Sequence, residues 1–504
     1  MKRLLVLVAV LGLLVSLSVA VAILLRPDLP DAPKASDERP PAGLEKFYTQ
    51  DVSWERCGQN TCAMVEVPVD YSKPDGETLE LKVLRVASAG KTGRVLFVNP
   101  GGPGGSGADF ARTVAGSLAT EMKNTFDVVG VDPRGVGAST PLECLSDEKF
   151  DKFIAIDPTP DNAKEIAAGD AAIRQMGEAC LKNSGTLAKN VETHNAARDQ
   201  DVVRALLGQK KLDWYGASYG TQLGATYADL FPAKVGRMVL DGAVDLSLDN
   251  VGSSKGQAEG FHRALVAYLE NCVEDGDCPL GDSVDEGIAT LNAFLNSLDQ
   301  KPLGVPGSRL LTESHGFFGV AVALYSQDSW PMLTMALEDA LSGKANSLMY
   351  LADAYFERQA DGSFASNSGQ VISAINCLDS PGGSSTEEVK ALIPEFTEVS
   401  PVFGKFLAWG TAACAAWPLE SANPQQVAKA TGAPPIVVVG TTRDPATPYE
   451  WAQALASQLE SGVLLSREGD GHTAYLLGNE CIQAAIDNFY LNGDVPAGGT
   501  VCKE

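Results

Sequence analysis

The sequence predicts an α/β protein: a mostly parallel sheet with helices on both faces, interrupted by a large, mostly helical insertion. Three observations predict it. Short apolar runs bounded by Gly, Pro or Asp recur at 95–99, 126–132, 212–215, 235–241 and 436–439. Runs apolar throughout mark strands buried on both faces, as in parallel sheets. Helical stretches stand between several of them, such as 196–207 and 221–230, and strand alternating with helix covers both faces of a sheet. From 245 to 430 the alternation stops, and helix-forming stretches at 257–270, 285–298 and 330–341 take over.

In chain order, Lys2 and Arg3 precede an uncharged apolar run from Leu4 to Leu25, which Arg26 closes. A basic start followed by an apolar stretch is an export signal. Ala20-Val21-Ala22 offers the small-x-small pattern of a cleavage site. The run also reaches the ~20 residues that span a bilayer, so 1–26 reads as a signal peptide or a signal anchor that tethers the protein to a membrane. Prolines 27, 30, 33, 40 and 41 among charged residues make 27–45 a linker. The first part of the core, 46–244, opens on β-rich stretches at 61–69 and 79–87, expected as an antiparallel pair. The segment 245–430 reads as a lid over the carboxyl edge of the sheet. The second part of the core, 431–504, adds a strand at 463–467 and a last helix at 481–490.

Composition narrows the function. The chain has 504 residues and a net charge of -25, which excludes nucleic acid as a partner, because phosphate binding needs a basic surface. Its ten cysteines all lie beyond the export signal. An even number in an exported chain reads as disulfides. Sequential neighbours give the simplest pairing: Cys57–Cys62, Cys144–Cys180, Cys272–Cys278, Cys377–Cys414 and Cys481–Cys502. Zinc at the close pairs 57/62 and 272/278 is the competing reading. Only four histidines exist, none at ligand spacing beside these pairs, so no metal is expected.

The chemistry centres on Gly216-Ala217-Ser218-Tyr219-Gly220, which follows the run from Leu212 and precedes a helix. A serine on a sharp strand-to-helix turn points its hydroxyl out of the sheet, and the flanking glycines admit the close backbone contacts of that turn. The helix behind it aims N–H groups and its positive end at the reacting centre. Acyl transfer also needs two N–H donors for the developing oxyanion. Tyr219 supplies one. The other is expected from the loop Pro100-Gly101-Gly102-Pro103-Gly104-Gly105, which follows an earlier strand. A phosphate cradle is the rival reading of these glycines, but no Lys-Ser/Thr follows them. A purely structural turn is the plain alternative.

The base and acid follow from chain order, Ser then acid then His. His194 precedes the serine, and His262 and His315 fall within the insertion, which leaves His472 in the turn Gly471-His472-Thr473 after the final strand. Asp444, after the strand 436–439, would hold the imidazole tautomer and stabilise the imidazolium. Asp241, at the end of an earlier strand, is the rival acid, with strand-end capping as its structural alternative.

Together, Asn99-Pro100-Gly101-Gly102-Pro103-Gly104-Gly105, Asp132-Pro133-Arg134-Gly135-Val136-Gly137, Gly216-Ala217-Ser218-Tyr219-Gly220-Thr221, Asp444-Pro445-Ala446-Thr447-Pro448 and Gly471-His472-Thr473 resemble the secreted tripeptidyl aminopeptidases. That group is similar to the prolyl aminopeptidases within the α/β-hydrolases. The resemblance covers most of 45–504. It implies an α/β-hydrolase fold with a helical lid, and hydrolysis of peptide substrates from a free N-terminus through an acyl-enzyme, without metal or cofactor. It also implies Gly102 as the loop donor to the oxyanion. Ala374-Ile375-Asn376-Cys377-Leu378-Asp379 and Cys414-Ala415-Ala416-Trp417-Pro418 look like the cysteine-bearing pieces around the family's lid, which supports pairing 377 with 414. A cationic substrate terminus needs a carboxylate. Asp379 is the candidate, with a cap or surface charge as its alternative. An esterase using the same three residues, and an inactive surface-binding protein on the same scaffold, are the competing functions.

Overall fold

A computed structural model describes residues 33–305 and 308–503. The expected signal peptide or anchor, 1–26, therefore lies outside the described residues. Among those residues, no helix is long and apolar enough to cross a membrane.

Ten strands form one sheet: β1 (Glu55–Cys57), β2 (Asn60–Pro68), β3 (Thr78–Val86), β4 (Arg94–Asn99), β5 (Phe126–Val131), β6 (Leu212–Ala217), β7 (Val235–Asp241), β8 (Ile436–Arg443), β9 (Gly462–Asp470) and β10 (Thr500–Cys502). Their spatial order is β1-β2-β3-β5-β4-β6-β7-β8-β9-β10. The strands β1, β2, β3 and β5 pair antiparallel, and every pair from β5–β4 to β9–β10 is parallel.

The apolar runs are strands because both of their faces are covered. In β4, Phe97 packs into the core on one face, and Leu96 and Val98 pack on the other. In β5, Val129 and Val131 face one way and Val128 the other. Neither strand therefore shows a polar alternation. The short edge strands β1 and β10 carry no such run, and the sequence reading missed both. Each contains a cysteine of a disulfide, Cys57–Cys62 and Cys481–Cys502.

Between β7 and β8 the described chain is helical, from Asn250–Asp275 to Gly404–Gly410, with only isolated bridges. It has its own core, where Phe261, Leu265, Tyr268, Leu291, Phe317, Leu337 and Phe403 are buried together. A second helical excursion lies between β5 and β6, with helices Asp147–Ile154 and Ala163–Ser184. The sequence reading folded this stretch into the core. Its helices carry only a narrow apolar stripe, with Met176, Gly177 and Cys180 the only buried residues of the longer one, so no strong periodicity marks it.

All ten cysteines are paired: 57–62, 144–180, 272–278, 377–414 and 481–502. Five disulfides belong to an oxidising compartment, which places the folded chain outside the cytoplasm.

Candidate active site

Sheet register brings the site together. Asn99 of β4 pairs with Gly216 of β6, Ala217 pairs with Asp241 of β7, and Asp241 pairs with Val439 of β8. Arg443 of β8 pairs with Asp470 of β9. The loops that follow these strand ends, carrying Gly101, Ser218, Asp444 and His472, therefore emerge side by side at the carboxyl edge of the sheet. Ligands bind at that edge in open parallel sheets.

Ser218 sits at φ +55° and ψ -126°, between β6 and the helix Tyr219–Leu230. This is a strained conformation for a residue with a side chain, of the kind functional turns retain. Its N–H donates to Asp241 O at 2.8 Å. The flanking glycines are required by contact. A Cβ on Gly216 would lie 2.1 Å from Gly220 O, and one on Gly220 would lie 2.6 Å from Asn99 O.

The glycine loop lies directly against this turn. A Cβ on Gly101 would be 2.6 Å from Ala217 O and 2.8 Å from the Tyr219 nitrogen. The Gly101 N–H is already committed to Asn99 Oδ1 at 3.0 Å. Neither the Gly102 nor the Tyr219 N–H has an acceptor among the described residues. The neighbouring Asp132 motif supports this loop. Asp132 accepts from Ser106 Oγ at 2.6 Å and Ala108 N at 3.0 Å through one oxygen, and from Ala138 N at 3.0 Å through the other. Arg134 is buried and makes a bidentate pair with Asp199, so this part of the motif is structural.

His472 follows β9. Its Nδ1 lies 2.9 Å and 3.0 Å from the two oxygens of Asp444. Asp444 is fully buried and accepts from Ala446 N (3.0 Å), Thr447 N (2.9 Å), Thr447 Oγ1 (3.1 Å) and Thr473 N (3.1 Å). Burial pushes the His472 imidazole down. The charge and hydrogen bond of Asp444 outweigh it and hold the ring above its ordinary value. Asp241 does not face Nδ1. It accepts from Tyr475 N at 2.8 Å, Ala474 N at 3.2 Å and Tyr215 hydroxyl at 3.1 Å, and so holds the backbone that follows His472. Burial raises its carboxyl to about 6.

Ser218, His472, Gly101 and Gly102 line one cavity of about 970 Å³. Its wall comes from both helical excursions, with Phe150, Ile166, Ile173 and Met176 from the first and Phe318, Tyr355, Phe406 and Trp409 from the second. Tyr325, at the end of helix Glu313–Leu324, stacks edge-on against the His472 ring at 5.2 Å, and its carbonyl accepts the His472 backbone N–H at 2.9 Å. Sequence reasoning missed both Tyr325 and Thr447, and no local pattern marks Tyr325 as a neighbour of a histidine 147 positions downstream.

Asp379 is a correction. It does not line the cavity. It is 5% exposed, and its oxygens accept from Thr193 N at 2.9 Å, Thr193 Oγ1 at 2.5 Å and Gln222 Nε2 at 3.0 Å. With three donors already in place it is a buried structural acceptor rather than a surface for a substrate amine. Asp157, Asp170 and Glu357 are the carboxylates in the cavity wall. Asp157 also stands within 4.8 Å of Asp299 and Glu313, a grouping of oxygens that could hold a cation. Burial raises Glu313 to about 7.

The chain is 35% identical to the serine protease Hip1 of Mycobacterium tuberculosis, over 90% of this chain and 91% of that protein. It is 32% identical to the tripeptidyl aminopeptidase of Streptomyces coelicolor, over 90% and 86%. This serine hydrolase belongs to the tripeptidyl aminopeptidase family of α/β-hydrolases. Carboxylesterase B of Mycobacterium tuberculosis is similar at 37% identity, over 88% of this chain and 86% of its own. The TAP-like protein family model matches residues 400–502, the stretch that carries Asp444 and His472. Among solved structures, proline iminopeptidase of Mycobacterium smegmatis is similar at 15% identity and a TM-score of 0.38, over 84% of this chain and 97% of that one.

Proposed function

We propose that this hydrolase releases short peptides from the free amino end of its substrate through an acyl-enzyme on Ser218. Ser218 Oγ gives its proton to His472 Nε2 and attacks the scissile carbonyl carbon. The N–H groups of Tyr219 and Gly102 receive the oxyanion. The C–N bond then breaks, and the leaving amine takes the proton from His472. Water attacks the acyl ester with His472 as base, releasing the acid and restoring Ser218. Asp444 keeps the proton on Nδ1, so that Nε2 can accept.

The single observation that carries this reading is the His472–Asp444 contact at 2.9 Å, with His472 and Ser218 lining the same cavity. Peptide rather than ester is favoured by the relatives named serine protease and tripeptidyl aminopeptidase. Asp157, Asp170 and Glu357 offer carboxylates to a cationic amino terminus inside the cavity. An esterase with the same three residues is the second reading, favoured by the carboxylesterase relative and by the aromatic wall. The helical segment 245–430 serves as the lid. Residues 1–26 export the chain and either leave it free or anchor it at the membrane.

Purified protein assayed against a tripeptide p-nitroanilide with a free amino terminus, its acetylated form and a p-nitrophenyl ester separates these readings. The aminopeptidase reading expects the free peptide to be hydrolysed well and the acetylated one poorly. Equal cleavage of both peptides, or turnover of the ester alone, overturns it.

A further inference from the structure

The helix Ser368–Asp379 belongs to the helical segment, yet it touches the reaction centre's framework at both ends. At its start, Gly104 of the glycine loop is so close that an added Cβ would lie 3.0 Å from Ser368 O and 3.2 Å from Ser368 Cα. Asn367, just before it, donates to Gly135 O at 2.8 Å and Leu142 O at 3.1 Å, and accepts from Gly137 N at 3.1 Å. At its end, Asp379 reaches the nucleophile's helix by two routes. Gln222 of that helix donates to it directly at 3.0 Å. Thr193 provides the second route, because its hydroxyl lies 2.5 Å from both Asp379 Oδ2 and the Tyr219 hydroxyl.

The direction of the second route follows from proton counting. Burial raises the Asp379 carboxyl to about 7; once ionised it has no hydrogen to give, and the single Thr193 hydroxyl hydrogen goes to Asp379. The Tyr219 hydroxyl must then donate to Thr193 Oγ1. The relay is buried throughout, since Asp379, Thr193 and Tyr219 are each at most 5% exposed. Asp379 also receives the first N–H of helix Thr193–Leu206, whose own N-cap residue, Glu192, makes no side-chain cap bond. A carboxylate at a helix N-terminus is held by that helix's positive end. The anchor is thus fixed on one side by a helix end and on the other by the residue after the nucleophile.

We propose that Asp379 is a positioning residue that sets the oxyanion hole, holding Tyr219 through Thr193 while the start of the same helix braces the glycine loop that carries the second donor. The helix Ser368–Asp379 works as a strut between the two donors. This rests on the reading of Ser218 as the nucleophile, with Tyr219 N–H as an oxyanion donor. Such donors act on the transition state rather than on bound substrate. A shifted Tyr219 therefore lowers kcat and leaves KM in place.

The test is a double-mutant cycle of Asp379→Ala and Tyr219→Phe on the free-amine tripeptide p-nitroanilide, with fluorophosphonate labelling of each protein. Tyr219→Phe removes one oxygen from a buried ring and keeps the backbone N–H, changing only what holds it, so it reads the relay even where Asp379→Ala destabilises the fold. Losing a whole donor costs roughly a hundred-fold or more, and a displaced one a part of that, about ten-fold. The proposal expects each single variant to lose about ten-fold in kcat, with KM within about two-fold, and the double variant to lose about ten-fold as well, because both changes break one relay. Independent losses that multiply to about a hundred-fold would overturn it, as would unchanged kcat in Tyr219→Phe or a loss confined to KM. A wild type that neither turns over nor takes the fluorophosphonate would instead remove the nucleophile reading, and this inference with it.

Discussion

Replacing Asp444 by Asn tests the acid's role at a single atom. Asp444 Oδ1 accepts two backbone N–H groups, from Ala446 at 3.0 Å and Thr447 at 2.9 Å. Oδ2 accepts one backbone N–H, from Thr473 at 3.1 Å, and the Thr447 hydroxyl, which can turn to accept instead, so the Asn oxygen takes the Oδ1 position with its two fixed N–H groups and the NH2 takes Oδ2. Both positions lie near His472 Nδ1, Oδ1 at 2.9 Å and Oδ2 at 3.0 Å, and with the Asn oxygen already taken by two N–H groups the ring nitrogen pairs with the NH2. Nδ1 must then accept, the ring proton moves to Nε2, and Nε2 can no longer take the proton of Ser218. A wrong tautomer of this kind costs about 10⁴-fold in kcat, or ~5 kcal/mol of transition-state stabilisation. The pH profile moves as well. In the wild type Asp444 holds the imidazole above its ordinary value against burial. The base works as neutral imidazole, so kcat/KM falls as pH drops through that raised value. Without the Asp444 charge, burial dominates, and the acid limb shifts to lower pH. The assay is kcat/KM against pH on the tripeptide p-nitroanilide for both proteins. A variant that keeps the wild-type plateau, or whose acid limb stays in place, refutes the tautomer argument.

Three further outcomes follow from the same geometry. Gly101→Ala places a Cβ 2.6 Å from Ala217 O at φ +95°, so activity should fall at least ten-fold with a lowered melting temperature, in a combined turnover and melting assay. Glu313 is raised by burial from 4.5 to about 7. The native state therefore keeps a proton that the unfolded chain releases, and stability falls as pH rises from about 4.5 to about 7. Glu313→Gln should melt like the wild type near pH 4.5 and above it at pH 8, by up to roughly 3 kcal/mol, and parallel melting curves at both pH values would count against this. Cys377–Cys414 closes a span of 37 residues, so replacing both cysteines by Ser should lower unfolding free energy by about 2–4 kcal/mol in denaturant titration.

Much of the architecture was legible because the parallel strands are buried on both faces. Val437, Val438 and Val439 are all fully buried, and an unbroken β-branched run this short fits a strand covered on both sides better than a helix. The placement of Ser218, Asp444 and His472 at the carboxyl edge was legible because each sits in a turn immediately after such a strand, and chain order alone separates His472 from the other histidines as the candidate base. The edge strands β1 and β10 were not, being short and lacking an apolar run. The excursion at 147–184 was not, because its cavity-facing residues Ile166, Ile173 and Met176 form a sparse stripe on a largely exposed helix. Asp379 shows the limit most clearly. Its motif was visible, but whether a carboxylate meets a substrate or a buried threonine depends on a contact spanning 186 positions, and no local pattern encodes that.

The account stands on Ser218 being the residue that becomes acylated, and the most direct measurement is covalent capture. Wild-type protein treated with a fluorophosphonate and digested should carry the adduct on the peptide containing Ser218, with His472→Ala labelling far more slowly at the same pH. An adduct on another residue, or equal labelling of the His472→Ala protein, would contradict it.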